Sequence, residues 1–537
     1  MTHGMISAAQ PEAVEAGLDV LSSGGNAVDA AVAAALVQTA VDPQMCGIAG
    51  FGTIHVYLPG RSVHTTLDFH GRSPLAAKAD MWEQLILREA EDGWGFILKG
   101  RVNELGYGAI TTPRTLAALD EALRRWGTRQ LSDLLPPAIA YCQDGWPVRP
   151  HVWGFWHEPA ALGRDPNIGI VTKLPATRKI YVKPDGAVHA IGDILRNPDM
   201  ARTLRRIAAD GVADFYRGRI ASEILADMKA NGGLLTERDL AACAPEENPP
   251  LWGTYRGYRI ATNNPPGGGI MLIEMLNILE QFDLASIGHN SPEYVRIVSE
   301  AMKIATVDKD TRVGDPRFVD VPVTQLTSKS YAAEMAARIR RGERTPVPRF
   351  NSGGAESKHT TQVCAVDEHG NCVTMTHTLG QPSGVVTDAL GFMYNGAMTV
   401  FDPRPGRAGS LAPGKARFSA LSPTIVFKAD KPCLVLGAPG ATYITMGNLQ
   451  VMLNVLDFGM TAQEAVSAPR FAAVSDTIEL SNRILRRTER ALQALGYPTR
   501  RYPHSFKFAW VHAIRIADDG RLDGGADPET GGMAMAV

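Results

Sequence analysis

Lys358-His359-Thr360-Thr361-Gln362-Val363-Cys364-Ala365-Val366-Asp367-Glu368-His369-Gly370-Asn371-Cys372-Val373-Thr374-Met375-Thr376-His377-Thr378-Leu379 is the stretch that decides the fold. Residues 361–366 alternate as a strand does, 367–371 read as a turn, and 372–379 read as the returning strand. Upstream, 340–359 has the opposite character: Arg340-Arg341-Gly342-Glu343-Arg344, then Pro346, Pro348, Ser352, Gly353 and Gly354. That polar, breaker-rich run predicts an exposed, mobile connection. A threonine thus stands where a loose connection meets a new sheet. Its hydroxyl is a poor nucleophile without a base beside it. The residue's own α-amine, with a free pKa of roughly 8, is such a base once the His359–Thr360 bond is cut. A strained peptide bond next to a hydroxyl can rearrange to an ester, and hydrolysis of that ester frees the amine. Taken alone, the Thr-Thr pair would simply begin a strand.

The chain has 537 residues, 45% hydrophobic and 20% charged, with 54 Lys plus Arg against 56 Asp plus Glu and a formal net charge of −2. It is long enough for a large core in roughly two to four domain-sized units. It lacks the basic excess of a nucleic-acid binder. The longest apolar run, 30–37, is too short to span a bilayer and reads as a buried helix. The N-terminus lacks a basic segment followed by an apolar one, so the expected location is the cytoplasm, or the periplasm if the sequence has been trimmed. Cys46, Cys142, Cys243, Cys364, Cys372 and Cys433 contain no C-x-x-C pair and read as free thiols. Cys364 and Cys372 flank the turn, where a disulfide is open to them in an oxidising compartment.

Other signatures fail. The 13 histidines show no H-x-x-x-H or H-x-H spacing, and there is no G-x-S-x-G elbow. Residues 409–416 approach a phosphate-binding loop, but Ala416 lacks the hydroxyl that would hold magnesium. No metal and no cofactor is expected.

Outward from the hairpin, 11–39 is helical with a break at Gly24-Gly25-Asn26. Residues 53–58 and 63–69 read as a hairpin across Pro59-Gly60-Arg61. Helical patterns cover 113–145 and 195–230, and Thr236 to Asp239 resembles a helix start. Pro265-Pro266-Gly267-Gly268-Gly269 breaks the chain before an apolar helix at 270–282, and a second helix covers 292–307.

Many short segments, in order, resemble the γ-glutamyltranspeptidase family over essentially the whole chain. They are Gly4-Met5-Ile6-Ser7, Gly24-Gly25-Asn26-Ala27-Val28-Asp29-Ala30, Asp214-Phe215-Tyr216-Arg217-Gly218, Thr254-Tyr255-Arg256-Gly257-Tyr258 and Gly314-Asp315-Pro316-Arg317-Phe318-Val319-Asp320. Then come Thr360-Thr361, Asp367, Gly370-Asn371 and Thr376-His377-Thr378-Leu379. Ser422-Pro423-Thr424, Gly437-Ala438-Pro439-Gly440, Ala468-Pro469-Arg470-Phe471 and Ala526-Asp527-Pro528 complete the series. The resemblance implies an α/β chain folded as a four-layer αββα sandwich of the N-terminal-nucleophile hydrolase type. It implies a precursor cut into a large subunit (1–359) and a small catalytic subunit (360–537) that stay associated as one intertwined unit. Residues 340–359 would be the pre-cleavage segment. Thr360 would be the nucleophile and Thr378 the threonine whose hydroxyl bonds it. The backbone N–H groups of Gly440 and Ala441 would form the oxyanion hole.

The departures from the family bear on substrate. A γ-glutamyl group carries an α-ammonium and an α-carboxylate, and a buried site must pair both. The family's ammonium-binding Asp aligns near Val400, its Gln near Ala397 and its Asn at Gly380. Asp402 can replace the Asp only if its loop shifts. On the carboxylate side, the paired serines read Ser419-Ala420. The carboxylate-binding Arg falls in Asp68-Phe69-His70-Gly71-Arg72-Ser73-Pro74, on Arg72 or His70 according to the gap. Arg72 alternatively braces the loop through an ion pair, and Arg417 is a further cation. The expected activity is hydrolysis of a small carboxylate-bearing amide that lacks the α-ammonium, as in oxamate amidohydrolases or acylases for dicarboxylic-acid amides. The alternatives are a γ-glutamyl hydrolase or transferase acting on glutathione or other γ-glutamyl compounds, and an uncleaved, inactive binding protein. Retention of Thr360 and Thr378 opposes the last.

Overall fold

A computed structural model describes residues 4–90, 95–160, 164–348, 360–505 and 508–537. The strands of its two large sheets are β1 (Gly4–Ala8), β2 (Phe51–Leu58), β3 (Val63–Phe69), β4 (Glu246–Asn248), β5 (Leu251–Tyr255), β6 (Tyr258–Thr262), β7 (Thr361–Asp367), β8 (Cys372–Thr378), β9 (Thr424–Lys428), β10 (Lys431–Gly437), β11 (His512–Ile516), β12 (Leu522–Ala526) and β13 (Met533–Ala536). One sheet has seven strands in the order β13-β1-β7-β8-β2-β3-β4, and the other has six, β12-β11-β10-β9-β6-β5. Every pairing within both is antiparallel.

Met5, Val366, Ile425, Phe427, Val435 and Ile514 fill the space between the sheets. Helices α1 (Pro11–Ser22) and α2 (Ala27–Val41) cover the outer face of the first sheet. Helices α3 (Gly269–Leu279), α4 (Pro292–Arg312) and α5 (Ile444–Leu456) cover the second. The chain is therefore the four-layer αββα sandwich expected, with β7, the strand that Thr360 precedes, near the middle of its sheet.

Local chemistry explains the elements around that strand. Every residue of α2 is buried, which suits a mostly apolar helix whose polar side chains, Asp29, Gln38 and Thr39, are all hydrogen-bonded. Gly24, at φ 81°, ends α1, and Asn26 with Asp29 forms a capping box that starts α2. The turn after β7 is held by Asp367, whose Oδ1 accepts the amides of His369 (3.0 Å) and Asn371 (3.1 Å). Its Oδ2 accepts the Ala27 amide at 2.9 Å, so a carboxylate sits at the positive end of α2. Two separate sequence signatures thus meet at one point.

The helical stretches expected at 113–145 and 195–230 are each divided. The first becomes Thr115–Trp126, Leu131–Leu134 and Pro136–Asp144, and the second Pro198–Asp210, Ala213–Arg217 and Arg219–Ala230. The breaks fall at Gly127, Pro136, Gly211 and Gly218, residues that end or start helices. The connection expected over 340–359 begins inside the helix Lys329–Arg340, and part of it is docked, because Thr345 and Val347 are buried. Residues 349–359, the rest of the expected mobile segment, lie outside the described residues. Cys364 pairs with Thr374 and Cys372 with Val366, so the two thiols are offset by two positions, and both are free. Among the described residues no helix is long and apolar enough to cross a membrane, and no cluster of His, Cys, Asp or Glu could hold a metal.

Buried imidazoles make the fold sensitive to acid. Burial holds His377 and His512 at about 3. Burial with the neighbouring His64 holds His55 at about 3, and burial with Arg259 holds His64 at about 4. An unfolded imidazole titrates near 6.5, so the unfolded chain binds more protons than the native one between these values. The stability these groups confer is complete above about pH 6.5 and is lost as pH falls towards 4 and below. Thermal melts should show a midpoint that drops steadily from about pH 6.5 to 4. A flat midpoint across that window would contradict it.

Candidate active site

The hairpin register places the first pair of groups. Thr361 lies opposite His377, so one step further along the ladder Thr360 faces Thr378. Thr360 Oγ1 donates to Thr378 Oγ1 at 3.1 Å, and Thr378 Oγ1 accepts the Gly380 amide at 2.8 Å. Both threonines are buried, at 5% and 2% exposure. The strand end is fixed from the helix side. Gln38 on α2 donates through Nε2 to Thr361 Oγ1 (2.9 Å) and bonds His377 Nε2 through Oε1 (2.8 Å).

The second group is the turn before α5. Gly440 has φ 141° and Ala441 φ 49°. A Cβ at Gly440 would stand 2.7 Å from Ala509 Cα, so only glycine fits. Ala441 occupies the left-handed region, which costs a non-glycine residue about 1 kcal/mol. Strain of this kind concentrates at functional sites. Among the described residues, the amides of Gly440 and Ala441 donate to no protein acceptor. Behind them, Arg470 pairs with Asp527 and donates to the carbonyls of Phe508 (Nε, 2.9 Å) and Ala509 (Nη2, 2.9 Å). The two C-terminal signatures therefore form a buried prop under the turn.

Thr360, Thr378, Gly380, Ala441, Arg417 and Ser419 line one cavity of about 650 Å³. Arg417 is 8% exposed. Its Nε donates to the Phe418 carbonyl at 2.9 Å and its guanidinium lies 5.6 Å from the centre of the Phe51 ring. It has no carboxylate partner among the described residues, and burial alone pushes it down to about 9. Ser419 Oγ is bonded by His70 Nε2, and His70 Nδ1 bonds Asp68 Oδ1 at 2.9 Å. Burial raises Asp68, but attraction to His70, the hydrogen bonds from that residue's ring and amide, and Arg114 outweigh it and hold Asp68 at about 2. Arg114 Nη1 also donates to the His70 carbonyl at 3.2 Å.

Of the two residues aligned with the family's carboxylate-binding arginine, His70 reaches Ser419. Arg72 instead pairs with Glu246, and neither His70 nor Arg72 lines the cavity itself. On the ammonium side, Val400 and Gly380 line the cavity and Ala397 is buried. Asp402 also lines it, but Arg404 takes its two oxygens at 2.9 and 2.7 Å, and Arg407 Nε lies 3.7 Å away. Glu89 and Asp310 are the other acids of the lining. Sequence reasoning passed over Phe51, Arg114 and Gln38, which carry no local signature. For Asp68 the Asp-x-His spacing was the available signal.

A sequence profile for gamma-glutamyltranspeptidase matches residues 13–537. The acylase ACY 1 proenzyme of Pseudomonas sp. (strain V22) is 36% identical over 541 residues, covering 100% of this chain and 94% of its own length. The glutathione hydrolase proenzyme of Escherichia coli (strain K12) is 33% identical over 551 residues, covering 98% of this chain and 90% of its own. The crystal structure of cephalosporin acylase from Bacillus halodurans superposes with a TM-score of 0.87 at 28% identity, covering 99% of this chain and 96% of that one. With its αββα layers and the match along nearly its whole length, the chain belongs to the gamma-glutamyltranspeptidase family of N-terminal-nucleophile amide hydrolases and acyltransferases.

Proposed function

We propose that this protein cuts itself before Thr360 and then hydrolyses amides whose acyl group ends in a carboxylate and carries no α-ammonium. The observation that carries the reading is Arg417, a buried guanidinium without a carboxylate partner among the described residues, in the same cavity as Thr360. A buried cation of this kind calls for an anion, and two parallel N–H bonds to a carboxylate fit a guanidinium. Ser419, oriented by His70 and Asp68, adds a hydroxyl beside it. Asp402, near Val400, is already paired with Arg404 and Arg407, which disfavours an α-ammonium.

In maturation, Thr360 Oγ1 attacks the His359 carbonyl carbon, the C–N bond breaks, and water hydrolyses the resulting ester. The fragments 1–359 and 360–537 then remain folded together. In turnover, the freed α-amine takes the Thr360 hydroxyl proton while Oγ1 attacks the substrate amide. The amides of Gly440 and Ala441 hold the developing oxyanion. The leaving amine takes a proton, and water releases the acid from acyl-Thr360. The α,ω-dicarboxylic monoamides suit a cavity of about 650 Å³ better than oxamate does, because pockets of this size bury much larger ligands.

A panel of anilides sharing one leaving group tests the reading. Glutaryl and adipoyl anilides should be cleaved with kcat/KM about 100-fold above the γ-glutamyl and the neutral butyryl anilides, a difference of about 2.7 kcal/mol. Preference for the γ-glutamyl substrate would instead assign the protein to γ-glutamyl hydrolysis or transfer.

A further inference from the structure

We infer that residues 344–348 are a strap that stays docked after cleavage, joining the two fragments and keeping Pro348 in the cavity wall. The inference rests on the cleavage reading above. The Thr345 amide donates to Glu300 Oε2 at 2.7 Å, and the Val347 amide donates to Asp476 Oδ1 at 2.8 Å. The two residues point inward at alternate positions and are 8% and 1% exposed. Arg344 Nη1 donates to the Gly496 carbonyl at 2.6 Å, and its guanidinium lies 5.9 Å from the centre of the Tyr497 ring. Pro348, the next residue after Val347, lines the cavity that holds Thr360.

The anchors come from both sides of the cut. Glu300 belongs to α4 and hence to the large fragment, whereas Asp476, Gly496 and Tyr497 belong to the small one. Amide bonds to ionised acceptors are the stronger kind. Their charge is balanced locally, with Lys303 Nζ 3.6 Å from Glu300 Oε1 and close enough to feel Asp476 and Arg344. None of these contacts uses the His359–Thr360 bond, so breaking that bond removes nothing that holds the strap. Residues 344–348 would then give the large fragment a permanent place in the wall of the substrate cavity.

Hydrogen exchange read by mass spectrometry, with intact masses from the same samples, tests this on matured wild type beside uncut Thr360→Ala. The amides of Thr345 and Val347 should exchange at least about 100-fold more slowly than in an unstructured chain in both proteins. Carboxypeptidase should trim the large fragment no further than about Pro348. Asp476→Ala should speed exchange at Val347 and leave the fragments together. Exchange at the free-chain rate in matured wild type, with protection kept in Thr360→Ala, would overturn the strap, as would trimming past Arg344. A wild-type chain that stays whole overturns the cleavage reading on its mass alone, and with it any joint between fragments.

Discussion

Replacing Thr360 with alanine is expected to leave the 537-residue chain whole and to reduce amidase activity by roughly 10⁴-fold or more, as loss of a covalent nucleophile does in other hydrolases. Both losses have one cause. The hydroxyl that would attack the His359 carbonyl is the hydroxyl that would later attack substrate. Alanine removes it and leaves the strand register intact, because Thr361 and not Thr360 supplies the bonds to Gln38. The variant should therefore fold, with melting behaviour close to that of the uncut precursor. Thr360→Ser keeps a hydroxyl at the same place and should still be cut. Intact mass spectrometry gives the answer directly, with wild type resolving into fragments 1–359 and 360–537. If the alanine variant is cut at the same bond, or keeps its activity, Thr360 is not the nucleophile.

The second large effect is expected at Arg417. Arg417→Met should raise KM for a carboxylate-bearing amide by roughly 100-fold, the scale of one or two charge-assisted hydrogen bonds at about 1.5–3 kcal/mol each. Turnover at saturation should change far less, and self-cleavage should be unaffected. A neutral acyl anilide should be cleaved as well as before. The same substitution should raise the melting temperature of the substrate-free protein, because an unpaired buried cation is replaced by an apolar side chain of similar length. Burial places the guanidinium near 9, so wild-type affinity for anionic substrates should also weaken as pH rises through that value. The methionine variant should lose this dependence. Equal losses on anionic and neutral substrates would mean that Arg417 supports the cavity wall and does not bind the acyl carboxylate.

Much of the site was legible through the resemblance to the family, which named Thr378, Gly440 and Ala441 beside Thr360, and the register of the hairpin explains the first pair. Once 361–366 and 372–379 are seen as strands around the turn at Asp367, the pairing brings residue 360 opposite residue 378. The bond between Thr360 and Thr378 follows from that register. The Gly24-Gly25-Asn26 break was legible because helix ends depend on neighbours in the chain, whereas the Asn26–Asp29 capping box was seen only in the structure. Less legible were choices among distant partners. Arg72 and His70 are two residues apart and face different surroundings. One meets Glu246 from β4, and the other meets Ser419 in the segment before β9. The alternation that buries Thr345 and Val347 is short and interrupted by prolines, so the run around them read as a loose connection.

The sandwich, and which residues stand where the family has its ammonium pocket, were implied by the resemblance; the sequence by itself determined the hairpin and the threonine at its start. Periodicity, turn chemistry and register act over a few residues and survive without knowledge of the rest of the chain. Only the tertiary structure decided that Arg417 and not Arg72 faces the cavity, that Arg417 has no carboxylate partner among the described residues, and that residues 344–348 are bonded both by Glu300, which precedes Thr360 in the chain, and by Asp476, which follows it. Those facts depend on which side chains are left unpaired when separate layers close on one another, and pairing across layers is a property of packing, not of spacing along the chain.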